Sequence, residues 1–471
     1  MKNIVCPSGT ESPWSGGTQS GYGPTPSWLA YQVRAPRRLA VKQGSSLGRI
    51  PLLLWLASQG LPLGRTLEPS KPTLIEDTYA RSLALTSQAS SLSSGLQVGF
   101  LAAVYLLAAL VVAARLHQAL RLLRRHPALP LLLLLVGASA LWSNNSDKVL
   151  MNLVHHTGAV LIAMAAALRY QADPWRLPLE AGYALGLALA VQLLAVGVAP
   201  AYAIDWEGRW IGLTGQANTL GALALCGFWA NLAAAFARPA ERVQRRLVSA
   251  VLAALSAVAM IGANSVTSML SAACLLAAML YLRHSGGRVL AVAGLLAMPV
   301  VTMLVVTLAS TVNLSSVAGA AGRSGDFSGR TAIWADGIEV ITKRPLAGWS
   351  FDDHAYVIRH TGMQYTTYHD GYVDLAVDGG VLAVLLLLLL LAGAMRQQYQ
   401  RQRLGRVLRA AALPFMLALL VYNTTEASFV SARNPMWILL LTLTLLGAAR
   451  PLAVTPQAGV SERGRPDGAQ G

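Results

Sequence analysis

His369 lies in YHDGYVDLAVDGG (368–380), just ahead of a very apolar run, with Asp370 and Asp374 near enough along the chain to orient its ring. An imidazole with histidine's ordinary pKa, about 6.5, accepts a proton from a hydroxyl near neutral pH, so this position suits general-base chemistry. An interfacial histidine capping the descending helix is the other reading. Arg330 opens SGRTAIWADGIEVITKR (328–344), where Ile333, Trp334, Gly337, Ile338 and Ile341 share one face at helical spacing and Pro345 ends the run. The pattern predicts an amphipathic helix lying on a membrane. Arg330 falls in its first turn, where free backbone N–H groups and the helix dipole already favour a phosphate or diphosphate. A surface arginine that pairs with Asp326 or reaches lipid headgroups fits the same local pattern.

Two further segments carry polar groups beside apolar runs. DWEGRWIGLTGQANTLGALAL (205–225) sets Arg209, Gln216 and Asn218 among close-packing glycines, and YNTTEASFVSARNPMW (422–437) carries Glu426 and Arg433. Glu426 is either a second carboxylate base or the partner of an arginine. Asp352, Asp353 and His354 are adjacent, but three neighbouring side chains rarely reach one ion, so no metal site is expected. Cys6, Cys226 and Cys274 are scattered without a CxxC pair, which gives neither a disulfide framework nor a zinc site. No cofactor is indicated.

The elements that must position these groups follow from composition. Of 471 residues, 54% are hydrophobic and only 12% charged, and the mean hydropathy is +0.49, values that exclude a soluble dinucleotide-binding enzyme or DNA-binding domain. Apolar runs occur near 97–116, 128–143, 149–168, 177–199, 212–236, 247–263, 267–282, 289–310, 376–395, 407–423 and 435–449. The formal charge of +16 reflects the breaks between them rather than a nucleic-acid partner. Arginines cluster in every second break (Arg121, Arg124 and Arg125; Arg169 and Arg176; Arg242, Arg245 and Arg246; Arg401, Arg403 and Arg406), and the intervening breaks are nearly free of Lys and Arg. That alternation assigns the arginine-rich breaks to the cytoplasm and the long segment 311–379 to the other side. Within 311–379 five basic residues face eight acidic ones, so its arginines are not orientation signals.

The expected fold is an all-α polytopic inner-membrane bundle of about eleven to twelve spans with one large extracytoplasmic loop containing amphipathic helices. The expected organisation is an N-terminal extension without fixed structure (1–50), a first transmembrane part (51–310), a catalytic loop (311–379), C-terminal transmembrane helices (380–450) and a cytoplasmic tail (451–471). Residues 51–63 (PLLLWLASQGLPL) are either a further span, which would put both termini in the cytoplasm, or an interfacial segment.

Taken together, SGRTAIWADGIEVITKRPLAGWSF followed by HDGYVDLAVDGGVLAVLLLLLLL resembles the O-antigen ligase and polysaccharide polymerase superfamily, with its arginine-led amphipathic helix and histidine before a late span. ALWSNNSDKVL (140–150), GRWIGLTGQANTLG and SVTSML (265–270) resemble its Trp-Ser turn, its Arg, Gly and Asn segment and its Ser and Thr turn. YNTTEASF and the GRT opening look more like exopolysaccharide polymerases than lipopolysaccharide ligases. Asp370 stands where the family commonly has Asn, and Ala217 lies where Pro or Lys is often found.

The resemblance covers roughly residues 100–450. It implies a metal-independent inverting glycosyltransferase that moves a glycan from an undecaprenyl-diphosphate carrier to an acceptor hydroxyl at the outer face of the inner membrane. His369 and Glu426 would be catalytic, and Arg209, Arg330, Asn218 and Asp370 would bind diphosphate or substrate. The acceptor would be a growing glycan or lipid A core, and a chain-length regulator or flippase would be a candidate protein partner. The competing reading is a transporter for lipid-linked oligosaccharides, which should show repeated halves, interrupted helices and polar groups at the bilayer midplane; none is visible in the sequence.

Overall fold

The computed structural model describes residues 46–63, 91–236, 243–284, 330–363, 365–400 and 406–448. The N-terminal extension up to residue 45, the run at 289–310, residues 311–329 with Asp326, and the tail from 449 lie outside the described residues. Among the described residues there are fifteen α-helices and no strand. The first ten are α1 (Ile50–Ser58), α2 (Ser91–Ala113), α3 (Leu116–Arg124), α4 (Ala128–Ala138), α5 (Ser146–Tyr170), α6 (Arg176–Val198), α7 (Pro200–Ala203), α8 (Ala217–Phe236), α9 (Val243–Gly262) and α10 (Val266–His284). Then come α11 (Arg330–Lys343), α12 (Ala355–Thr361), α13 (Gly371–Gln400), α14 (Arg406–Tyr422) and α15 (Pro435–Ala448).

Helices α2, α5, α6, α8, α9 and α13 are long and apolar enough to cross a membrane, so the chain is an all-α polytopic membrane protein. Shorter apolar helices coincide with the other runs, at Ala128–Leu141, Val266–Leu282, Ala411–Tyr422 and Pro435–Ala448. α15 is buried along its whole length, between α5 and α13. Lipid is as apolar as these side chains, so close packing and buried hydrogen bonds, rather than water exclusion, join the helices. Asn231 on α8 donates to the carbonyls of Gly182 (3.1 Å) and Gly227 (3.0 Å), and a side chain at Gly182 would collide with it.

Within residues 51–63, α1 packs one face into the bundle. Leu52, Trp55 and Leu56 pack inside the bundle, and α1 lies against α6, α5 and α2. Arg49 pairs with Glu180 at 2.8 Å near the start of α6, and the Gln59 carbonyl accepts from Gln192 at 3.0 Å near its end. With the preceding turn Ser46–Arg49, the helical stretch is roughly 20 Å long, short of a hydrocarbon core.

The described part of the loop has its own small core. Val340 on α11 packs with Trp349, Tyr356, Val357, Tyr368 and Val377, and Ile333 and Ile341 lean on the same cluster. The face expected from the sequence is therefore corrected by one position: Gly337 and Val340 are buried, whereas Ile338 is 58% exposed. The buried stripe 333, 337, 340, 341 seats α11 on protein, against α13, where a membrane surface was expected. Arg344, left without a topological role by the charge pattern, is held between Trp349 and Tyr356, 4.8 and 4.9 Å from their ring centres.

α13 is interrupted, although the sequence showed no broken helix. Gly380 adopts φ 64, ψ −167, a conformation open essentially to glycine alone. The loop lies against the break: the amides of Val381 and Leu382 donate to the carbonyls of Pro345 and Leu346, and Trp349 N donates to Val377 O. Protein, not a water-filled path, satisfies the freed backbone groups. Gly380→Ala should cost about 1–3 kcal/mol in backbone strain plus the clash of its Cβ with Leu346 O. The expected result is a clearly lower melting temperature of the detergent-extracted protein; an unchanged melt would contradict the role given to this turn.

Candidate active site

His369 stands on a tight turn at the head of α13 with φ 52, in the left-handed region. Asp374, one turn into the helix, builds that turn by accepting from Tyr368 N at 2.6 Å and Thr367 Oγ1 at 2.7 Å; Thr367 Oγ1 in turn accepts from His369 N at 3.1 Å. Asp370 caps α13, its Oδ1 accepting from Tyr372 N (2.8 Å) and Val373 N (2.9 Å). Burial pushes the Asp370 carboxyl up to about 6 against the pull of those two amides. Asp370 and Asp374 thus both shape the turn that carries His369, acting on its backbone and its neighbours rather than on its ring.

The turn after α14 presents Glu426. Asn423 is fully buried and folds that turn, accepting from the amides of Ser428 (2.8 Å) and Phe429 (3.0 Å). Gly371 N donates to the carbonyls of Asn423 and Glu426, tying the Glu426 turn to the His369 turn. The Thr267 and Thr425 hydroxyls are 2.7 Å apart and tie the SVTSML segment of α10 to the same turn.

Around the Glu426 carboxylate three other sequence-named residues meet. Oε1 accepts from Arg330 Nη2 and from Asn218 Nδ2, both at 2.6 Å, and Oε2 is 3.6 Å from His369 Nδ1. Arg330 also donates to the Thr425 carbonyl. Arg330 and Glu426 side chains are only 16% and 9% exposed. His369 Nδ1 is buried without a hydrogen bond, just beyond reach of the carboxylate. Four distant segments, α8, α11, the head of α13 and the turn after α14, thus converge on one group.

Beside this cluster opens a cleft of about 680 Å³. His369, Glu426 and Asn218 line it, and so does Arg433, the single Lys or Arg among its described lining residues. The Arg433 side chain has no hydrogen bond or ion pair among the described residues. Arg209 is placed elsewhere. Its Nε is taken by Asp205 (2.8 Å) and Glu207 (2.9 Å) within its own loop, and it does not line the cleft. The sequence weighed Arg209 for the diphosphate, and Arg433 is the guanidinium that the structure puts at the cleft. Asp352, Asp353 and His354 diverge: Asp352 accepts from Ser143 Oγ at 2.8 Å, Asp353 pairs with Lys148 at 2.9 Å, and His354 Nε2 lies 3.2 Å from Asp378. Among the described residues no group of three or more His, Cys, Asp or Glu side chains is arranged to hold a metal ion.

Residues 251–388 match the O-antigen ligase family model. That stretch is 138 of the 471 residues and holds Arg330, His369, Asp370 and the described loop core. The match supports the O-antigen ligase and polymerase superfamily, and with it glycosyl transfer in general. No curated protein matches the chain. Asn218, Glu426 and Arg433 lie outside the matched O-antigen ligase stretch; Glu426 meets its Arg330 and His369, and all three line the cleft together with His369. His155 and His156 of α5 also line the cleft. Ionisable residues within an apolar span are rare, which is the signal the sequence offers for this pair.

The 352–354 turn docks the loop on α5, and its stability is pH-linked. Burial opposes a charge on His354, but Asp378 beside it and Asp374 hold the imidazole up at about 10. Folded His354 therefore binds its proton more tightly than the unfolded chain does. Its stabilisation is complete below the ordinary value of about 6.5 and is lost as pH rises through about 10. Thermal melts between these limits should fall with pH in the wild type and be flatter in His354→Gln; parallel curves would contradict the pairing.

Proposed function

We propose that the chain transfers a glycan from a polyprenyl-diphosphate carrier, of the undecaprenyl type, to an acceptor hydroxyl in this cleft. The cleft then faces the periplasm at the outer side of the inner membrane. The observation that carries the reading is the meeting of His369, Glu426, Arg330 and Asn218 beside the cleft, in a bundle matched to O-antigen ligases. His369 is the base. Its Nε2, across the ring from Glu426, takes the acceptor proton as the acceptor oxygen attacks the anomeric carbon. The bond from that carbon to the diphosphate breaks, its electron pair leaves with the diphosphate, and single displacement inverts the centre.

Charge develops on the leaving diphosphate, and fixed guanidinium groups stabilise it in place of a metal. Arg433 supplies one from the cleft wall, and Arg330, held by Glu426 beside the cleft-lining His369, supplies the other. Glu426 holds Arg330 and faces His369, where its charge stabilises the imidazolium formed as the proton is taken; Asn218 fixes Glu426. Arg433→Ala should lower kcat/KM for the lipid-linked donor at least about tenfold, the loss of one charge-assisted contact, with kcat falling as well. An unchanged kcat/KM would remove Arg433 from the site.

Of the two activities in this superfamily, polymerase is favoured by YNTTEASF and the GRT opening of α11. Glycan profiling of a strain lacking the gene tests this. Single repeat units on the carrier with no long polymer mark a polymerase. Long chains stranded on the carrier and missing from their acceptor mark a ligase. A normal profile contradicts both.

A further inference from the structure

One wall of the cleft has a composition that the chemistry at His369 does not use. α2 turns Gln97 and Phe100 toward the cleft, and α5 turns Asn152, His155 and His156, at i, i+3 and i+4. α1 adds Trp55 and Gln59, again one turn apart. The three helices pack on one another, so these faces form one wall. His155 and His156 sit roughly 14 Å along α5 from its first residue, below the loop turns. No Asp, Glu, Lys or Arg lines the cleft from these helices.

Hydrogen-bonding capacity on this wall is left unspent. His156 is only 7% exposed and has no hydrogen bond among the described residues; neither does the Gln97 amide. The His155 Nδ1 is engaged by Tyr105 OH at 3.1 Å, which fixes the ring and leaves its other nitrogen for a ligand. A buried polar side chain without a partner, such as His156, is rare and costly in an apolar bundle, and the half-buried Gln97 faces the same cleft, so the pair points to what meets them when the site is filled. A diphosphate needs cations, and a prenyl tail needs a wholly apolar wall. Amides, imidazoles and aromatic rings without net charge match a ligand that is uncharged and rich in hydroxyls, with C–H faces to lay on the rings.

We propose that this wall is a saccharide subsite that holds an uncharged sugar ring of the glycan being joined. The inference rests on the reading of the cleft as a glycosyl-transfer site, and it specifies the sugar that the site takes. The donor's glycan and the acceptor's share this chemistry.

The test uses the full chain in lipid nanodiscs, with oligosaccharides released by mild acid from the producing cell's own surface glycan as the probe. Binding is read by equilibrium dialysis for the wild type, Gln97→Ala and His156→Phe, the last keeping the ring volume. Each variant should bind roughly tenfold more weakly, the loss of about one good hydrogen bond, with an unchanged melting temperature. In a transfer assay the same variants should raise one KM and spare kcat: that of the lipid-linked donor if its sugar lies here, or that of the acceptor if the acceptor's does. Wild-type affinity and both KM values retained in the two variants, while transfer proceeds, would overturn the subsite and leave the transferase reading intact. Sugar binding lost in the variants, with no transfer by the wild type, would sustain the subsite and sink the transferase reading.

Discussion

Replacing His369 by alanine is expected to lower glycan transfer by about 10²- to 10⁴-fold, the usual worth of a positioned general base, while the protein still inserts and melts like the wild type. The site gives two reasons. His369 is held in a left-handed turn by Thr367 and Asp374 through its backbone, not through its ring, so removing the ring leaves the turn's hydrogen bonds in place. Its ring makes no hydrogen bond on the Nδ1 side, so little native-state energy is lost with it. Strain at a residue that gains nothing structural from its own side chain is a mark of a functional position. Transfer within a fewfold of wild type would contradict the assignment. A loss of activity accompanied by a collapsed melt would instead mark a structural histidine.

Arg330→Ala should be more damaging, because it removes a proposed diphosphate ligand and breaks a mostly buried ion pair. Taking one partner from such a pair costs on the order of 3 kcal/mol, most of it the charge left behind on Glu426. Stability and transfer should therefore both fall. The two effects separate in the double variant Arg330→Ala, Glu426→Gln: with no orphaned carboxylate the melting temperature should recover, while transfer should not. Activity returning together with stability would show that Arg330 serves only to neutralise Glu426, and the diphosphate role would pass to Arg433 alone.

Much of this architecture is readable from sequence because a bilayer leaves the chain few choices. Apolar runs of sufficient length become helices, as the correspondence of the runs with α2, α5, α6, α8, α9 and α13 shows. Residue type and topological position also brought Arg330, Asn218, His369 and Glu426 forward, because polar and ionisable groups beside a span need a reason to be there. What neither type nor position specifies is the partner. Arg209 had the same credentials as Arg330, but its loop carries Asp205 and Glu207 within reach of its Nε. Asp370 carried one more legible signal, since an acidic residue just before a helix is its natural N-cap.

Other features depend on tertiary contacts. The phase of α11 is set by Trp349, Tyr356 and Tyr368, which come later in the chain, so Ile338 could not be separated from its apolar neighbours by spacing. The break at Gly380 exists because residues 345–349 dock there, and only the pair Gly379 and Gly380 within an apolar run hinted at it. Arg433, His155 and Gln97 are far apart in sequence and acquire meaning only where α2, α5 and the segment before α15 enclose one cleft.

The most direct test is a reconstituted reaction: the full chain in nanodiscs with a glycan on a polyprenyl-diphosphate carrier labelled in both sugar and lipid, and an acceptor glycan. Each glycan transferred should release one free polyprenyl diphosphate, in a reaction lost in His369→Ala. Glycan crossing the bilayer still attached to its carrier, or transfer undiminished in His369→Ala, would contradict this mechanism.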